Sequence, residues 1–134
     1  MNITTKHLHA LPFWDHLNHA EKDLLQNNAY IRSFDRDSYI IHSKAGEDIG
    51  LMMLVEGRIR AYLLSPDGRE ITLFSLHDQS ICIFSALSLF NQLSFQVFLT
   101  SDFCSKVLIV NMSIMEQLMR NNLYFRCFAY ELIA

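Results

Sequence analysis

Residues 54–76 read LVEGRIRAYLLSPDGREITLFSL, and this stretch is the most informative part of the sequence about the fold. Polar and apolar residues alternate over positions 58–63, which is typical of a strand with one face in water. The next four residues, Ser65-Pro66-Asp67-Gly68, form the clearest turn in the chain. Proline presets one backbone dihedral there, and glycine permits a positive φ. Residues 69–76 return as the partner strand, so the stretch predicts a β-hairpin.

The remaining strands are short and follow one another closely. Apolar runs rich in β-forming residues predict strands over 39–42, 51–55, 80–84, 95–100 and 106–110. Together with the hairpin and the change to a strand-like pattern from Tyr30, this makes about eight short strands with glycine-marked turns, which implies a mainly β fold, either a barrel or a jelly roll.

Helices are predicted at both ends of the chain. Asn18 is followed three positions later by Glu21, and Ser113 by Glu116, and both pairs match the capping-box pattern of a helix start. The second of these helices should run through Arg120 and break at the following asparagines. Residues 123–134 are helical in period and apolar around most of the circumference, so this helix must be covered on both sides.

Composition describes an ordinary cytoplasmic domain of 134 residues. The net charge is -3, and the basic residues are scattered, which argues against a grip on a nucleic-acid backbone. The N-terminus lacks the apolar stretch of a signal peptide, which predicts a cytoplasmic protein. Because thiols stay reduced in the cytoplasm, the three cysteines, which include no C-x-x-C pair, are predicted to be reduced and mostly buried. Residues 79–101 lack charge but hold too many polar groups for a membrane span.

Gly46, Gly57 and Gly68 lie eleven residues apart, and residues 67–73 read D-G-R-E-x-x-L. In this pattern the chain resembles the sensory domains of Crp–Fnr transcription regulators. The resemblance implies a double-stranded β-helix, the cyclic-nucleotide-binding type of jelly roll, over residues 1–122 with flanking helices. It also implies that residues 123–134 begin a dimerisation helix, and that the DNA-binding helix-turn-helix domain is absent from this chain. The expected partner is a second copy, with the interface formed by Tyr124, Phe125, Phe128 and Leu132.

The chain departs from the family's nucleotide-binding members in the loop that holds the cyclic phosphate. Those members use a glutamate for the ribose and an arginine for the phosphate; here the corresponding positions fall at about Ile83-Phe84 and Phe95-Gln96. No Lys or Arg occurs between Arg69 and Lys106. Sequestering a phosphate without a cation is costly, which argues against cyclic AMP as the ligand. An unknown small effector is expected instead, contacting Cys82, Ile83, Phe84, Ser85, Ala86, Phe95 and Gln96.

Cys82 leaves two interpretations open. The segment around it also resembles the haem-based carbon monoxide sensors of the superfamily, in which a cysteine at this place ligates the iron. However, Phe84 stands where those sensors have their alternative histidine ligand. The other interpretation is a buried structural thiol, since free cysteine is among the most buried residue types.

Other classes of function find less support in the sequence. A cupin-like enzyme would need several convergent metal ligands, but His42 stands alone on its strand and His77 lies by a turn. No nucleophile motif is present, so no catalytic or metal-binding residue is predicted and the chain is not expected to be an enzyme. A regulatory domain attached to a kinase or a channel remains a third alternative.

Overall fold

The computed structural model describes residues 3–40, 49–83 and 97–133. Within these ranges the chain forms seven strands and four α-helices, with a single 3-10 turn at Trp14–His16. The strands are β1 (Tyr30–Phe34), β2 (Ile49–Glu56), β3 (Ile59–Leu64), β4 (Glu70–Leu76), β5 (Ile81–Ile83), β6 (Val97–Ser101) and β7 (Ser105–Asn111). The helices are α1 (Ile3–Leu8), α2 (His19–Asn28), α3 (Met112–Asn121) and α4 (Leu123–Ile133).

The strands form two antiparallel sheets. One has four strands in the order β1-β7-β2-β5, and the other has three in the order β4-β3-β6. The predicted hairpin is β3 and β4, joined by the turn at Ser65, whose backbone oxygen accepts from the N–H of Gly68 at 2.9 Å. The mainly β jelly-roll class predicted from the sequence is therefore confirmed, with flanking helices at both ends.

The four-stranded sheet buries side chains on both of its faces. Along β2, Met52 and Leu54 face an inner cluster between the sheets, whereas Leu51 and Met53 face a second cluster under the helices. Strand β7 alternates in the same way. A sheet covered on both sides needs apolar residues at successive positions, and the sequence of β2 is accordingly an almost continuous apolar run.

The N-terminal capping box forms as predicted. The Asn18 side chain accepts from the N–H of Glu21 at 2.8 Å, and the Glu21 carboxylate accepts from the N–H of Asn18 at 2.9 Å. The second predicted capping box is wrong: α3 begins at Met112, with Asn111 as its N-cap and no side-chain cap. The Asn111 amide oxygen accepts instead from the Tyr30 hydroxyl at 3.1 Å, which ties the end of β7 to β1.

Gly57 makes a corner that only glycine allows. Its φ is +110°, and a Cβ at this position would lie 2.3 Å from Ser105 Oγ and 2.8 Å from the Cys104 carbonyl oxygen. Gly68 also has a positive φ, at +84°, but open space surrounds it. Two of the three spaced glycines therefore turn the chain as the spacing predicts, while Gly46 lies outside the described residues.

The thiols differ from the sequence prediction. Cys82 is buried, but Cys104 and Cys127 are exposed, since one lies in the β6–β7 turn and the other on the outward side of α4. In the described ranges, no helix is long and apolar enough to cross a membrane.

We predict that Gly57→Ala lowers the free energy of unfolding by about 3 kcal/mol, because it adds a steric clash to backbone strain. Gly68→Ala is the matched control and should cost only about 1 kcal/mol, since it adds strain alone. Urea denaturation followed by circular dichroism measures both. Equal losses for the two variants would contradict the close approach of Gly57 to the β6–β7 turn.

Candidate functional site

The part of the predicted effector site that the structure describes is on β5. This strand pairs antiparallel with β2, and Cys82 lies opposite Met52 while Ile83 lies opposite Leu51. Because successive side chains of a strand point to opposite faces, Cys82 and Ile83 pack in different apolar clusters. Cys82 faces the cluster inside the roll, and Ile83 faces the cluster under the helices. Phe84, Ser85, Ala86, Phe95 and Gln96 lie outside the described residues.

The Cys82 thiol is held in its neutral form. Only 6% of the residue is exposed, and burial raises the pKa of the thiol to about 12. A neutral thiol is a weak nucleophile and a poor metal ligand, because the thiolate carries both properties.

The interior that Cys82 faces is apolar. Its buried members come from both sheets and are all uncharged: Ile40, Ile49, Met52, Leu54, Ile59, Ala61, Leu76, Cys82, Leu99, Val107 and Ile109. Apart from the Cys82 thiol, the described residues of this cluster offer a haem no imidazole ligand and no cation for the propionates. The described residues therefore do not fit haem, and the arrangement suits an apolar ligand or a self-filled core.

Arg60 lies between two members of this cluster in the sequence, but its side chain is on the outer face of the three-stranded sheet. Its neighbours in the strand, Ile59 and Ala61, face inward. Arg60 Nη1 lies 2.9 Å from Glu70 Oε1, and Arg60 Nε lies 3.8 Å from Asp102 Oδ1. The hydrogen bond to Glu70 raises the pKa of Arg60. Its charge is therefore matched by two carboxylates on the outside of the roll.

The outer face of β3, which the sequence predicts to be exposed to solvent, is only partly exposed. Tyr62 follows Arg60 on the same outer face, yet only 3% of it is exposed. Its ring stacks on Phe98 with centroids 5.6 Å apart, and the Arg60 guanidinium lies 4.6 Å from the ring centre. Alternation in the sequence could not reveal this covering, because Phe98 comes from β6.

Helix α4 carries the residues predicted for a dimer interface, and they differ in how far they are exposed. Phe125 is 1% exposed and packs edge-on against Phe13 at 4.8 Å, and Phe128 lies 5.2 Å from the same ring. These two side chains therefore pack within their own chain. Tyr124 is 44% and Leu132 45% exposed. The role of all four in dimerisation stays a prediction.

The most exposed apolar side chains of α4 were not singled out in the sequence. Leu123 is 69% and Tyr130 58% exposed, and Cys127 between them is also exposed. Their spacing of four and three residues puts them in one stripe along the helix. That spacing was visible in the sequence, but a helix that is apolar nearly all round gives no sign of which stripe faces outward.

No cluster of three or more His, Cys, Asp or Glu side chains able to hold a metal occurs in residues 3–40, 49–83 and 97–133. His77 is exposed, and His42 lies outside those ranges.

Two antiparallel sheets around an apolar interior, with helices at both ends of the described chain, define a β-roll domain. The chain belongs to the cyclic nucleotide-binding domain family, whose model matches residues 31–122, more than half of the sequence. A comparison with curated proteins finds no match.

Solved structures agree with the family. A protein from Eubacterium rectale, described as a transcriptional regulator of the Crp/Fnr family, is 28% identical with a TM-score of 0.79. The match covers 93% of this chain and 57% of that one, so the chain spans little more than half of the regulator's length. The sensor domain of the transcriptional regulator DNR from Pseudomonas aeruginosa has a TM-score of 0.74 at 14% identity, with 98% and 88% of the two chains covered. The resemblance to Crp–Fnr sensory domains that rested on glycine spacing and the 67–73 hairpin is confirmed.

We predict that only two of the three thiols react with a thiol reagent in the native protein, namely those of Cys104 and Cys127. Cys82 should react after unfolding in denaturant, because its thiol is buried and neutral. Counting released chromophore before and after denaturation measures this, with Cys82→Ser as the control that removes the slow thiol. Rapid native labelling of Cys82 would contradict a closed interior.

Proposed function

We propose that this chain is the effector-sensing domain of a cytoplasmic Crp–Fnr type transcription regulator, and that its effector is not a cyclic nucleotide. It is not an enzyme in this proposal. The observation that carries it is the neutral, buried Cys82, which faces an uncharged interior where the family's nucleotide binders begin their phosphate loop.

Charge is the argument against a cyclic nucleotide. The sequence has no Lys or Arg between Arg69 and Lys106, the span that would supply the phosphate partner. Arg60 lies on the outer face and is engaged by Glu70 and Asp102. Hydrogen bonds from Lys and Arg are the strong contacts in phosphate sites, and this span of the sequence supplies neither residue.

The effector class that fits is a small apolar molecule, with Cys82 and the 84–86 and 95–96 segments as its proposed contacts. Ile83, which the sequence analysis grouped with them, faces the cluster under the helices instead. Such a ligand gains free energy by leaving water for the apolar cluster and needs no counter-charge. Binding would regulate the protein only if the ligand had different affinities for two states of the roll.

We predict that cyclic AMP gives no saturable heat in isothermal titration calorimetry with the native chain at millimolar concentration. Adenosine is the control, because it carries the same base and ribose without the phosphate. Equal, negligible responses to both are expected, since the sequence between Arg69 and Lys106 offers the phosphate no Lys or Arg. Saturable binding of cyclic AMP that adenosine does not reproduce would overturn the proposed effector class.

The proposed partner of α4 is a second copy of this chain. Leu123, Cys127 and Tyr130 form an apolar stripe at the four-and-three spacing used by paired helices, and Tyr124 lies beside it. Leu132 is exposed but lies on the side of the helix that carries Phe125 and Phe128. Parallel pairing about a two-fold axis would bury this stripe against itself. Phe125 and Phe128 would then hold α4 to its own roll while the opposite side meets the partner.

We predict that mild oxidation links two chains through Cys127, because residues on the axis of a symmetric helix pair come within disulfide reach of their own copies. Non-reducing gel electrophoresis measures the dimer band. Cys104→Ser should retain it and Cys127→Ser should lose it, while light scattering reports the dimer independently. If light scattering shows a dimer but oxidation does not link it through Cys127, the interface lies elsewhere on the chain. If light scattering shows only a monomer, the proposed pairing is contradicted.

DNA binding is proposed to belong to the part of such a regulator that this chain does not span. The chain has a net charge of -3, and its eleven basic residues are scattered. A duplex-binding surface needs clustered cations. In this proposal the effector changes the roll, and α4 carries the change to the DNA-binding domain.

A further inference from the structure

The break between α3 and α4 consists of one residue, Asn122, and its hydrogen bonds join three parts of the fold. Its N–H donates to the Leu118 carbonyl at 2.9 Å, which closes α3. Its Oδ1 accepts from the N–H of Phe125 at 2.8 Å, which caps the start of α4. Its Nδ2 donates to Glu21 Oε1 at 2.9 Å and to the His16 carbonyl at 3.0 Å. One buried amide thus fixes both helix ends to the N-terminal segment.

Glu21 is an unusual partner for such a bond, because it is a carboxylate with only 7% of its surface exposed. Its Oε1 accepts from the N–H of Asn18 and from Asn122 Nδ2, both at 2.9 Å. Its Oε2 is buried and has no hydrogen-bond partner among the described residues. Burying an oxygen in this way opposes stability, so the pair is better explained by the geometry it imposes than by net stabilisation.

Apolar contacts beside the pair hold α4 without fixing its direction. Phe13 packs against Phe125, and the His16 ring stacks on Tyr124 with centroids 3.6 Å apart and planes within 8°. The flat stack of His16 on Tyr124 permits sliding and rotation, because the hydrophobic effect is non-directional. Hydrogen bonds are directional, and the two donated by Asn122 Nδ2 select one position of the helix start.

We propose that Glu21 and Asn122 form a positioning pair that fixes the direction in which α4 leaves the roll. The N-terminal segment, through residues 13–21, thereby sets the geometry with which two α4 helices meet. The consequence for pairing rests on the proposed function. The direction of α4 within one chain does not rest on the proposed function. The positioning role of the pair and the pairing of two chains can therefore fail separately.

The test measures that direction by electron paramagnetic resonance in the whole chain. Spin labels are attached at Cys104 in the β6–β7 turn and at Glu131→Cys on α4, in a Cys127→Ser background. Excess unlabelled chain removes distances between copies. The label-to-label distance is then a property of one chain, whether the protein is a monomer or a dimer.

Three variants separate the pair from the helix cap. Asn122→Asp keeps an oxygen for the Phe125 N–H but cannot donate to Glu21, and its carboxylate faces that of Glu21. Asn122→Ser also keeps a capping oxygen, adds no charge and is too short to bridge to Glu21. In the double variant Glu21→Gln with Asn122→Asp, the amide and the carboxylate are exchanged, so the bond can re-form in reverse. Asn121→Asp, one residue earlier and exposed, is the matched control.

The parent, the Asn121→Asp control and the exchanged pair should each give one narrow distance. Asn122→Asp and Asn122→Ser should give a broadened or split distribution, while circular dichroism remains that of the folded roll. If Asn122→Asp unfolds, Asn122→Ser carries the test, because it introduces no like charge. An unchanged narrow distance in Asn122→Ser would overturn the proposal. Failure of the exchanged pair to restore the distance would overturn Glu21 as the partner and assign the effect to the bond with the His16 carbonyl, which the exchanged pair cannot make.

Discussion

The whole structure depends on the four-stranded sheet being covered on both faces. Strands β2 and β7 alternate between two apolar clusters, so neither side of the sheet tolerates water. The three-stranded sheet closes over one side and makes the roll. The other side requires helices from both ends of the chain, and residues such as Phe13 and Phe125 supply the cover. Burial of this second face is the reason that α4 is anchored to the domain at all.

The same sheet gives the proposed sensor a short path from its interior to its helices. On β5, Cys82 faces the roll and Ile83 faces the helical cluster, one residue further along. Packed interiors transmit small displacements because they contain few voids. A ligand that moved β5 from the inside would therefore also move the surface on which α3 and α4 pack. Charge plays no part on this path, since Arg60 and its two carboxylates lie on the outer face of the other sheet.

Local features of the fold were predictable because neighbouring residues encode them. Alternation and turn chemistry predicted the β3–β4 hairpin. The capping box at Asn18 also forms as predicted. The Ser113 capping box failed because a distant residue, Tyr30, engages Asn111 and the helix starts earlier. For the candidate site, the sequence predicted which segment takes part but not the face to which each side chain points. Sequence pointed to Cys82 and Ile83, but their opposite orientations follow from the register of β5 on β2.

The sequence alone was enough to predict the family, the roll with its glycine corners, and the lack of any Lys or Arg between Arg69 and Lys106. Composition and short-range spacing are sufficient for these, since they depend on backbone preferences and on which residue types are present. Tertiary structure alone decided that Phe125 turns inward, that Leu123 and Tyr130 remain outside, and that Asn122 meets Glu21. The last contact joins residues 101 positions apart. No local pattern specifies such a contact, because it exists only once both helices pack on the same sheet.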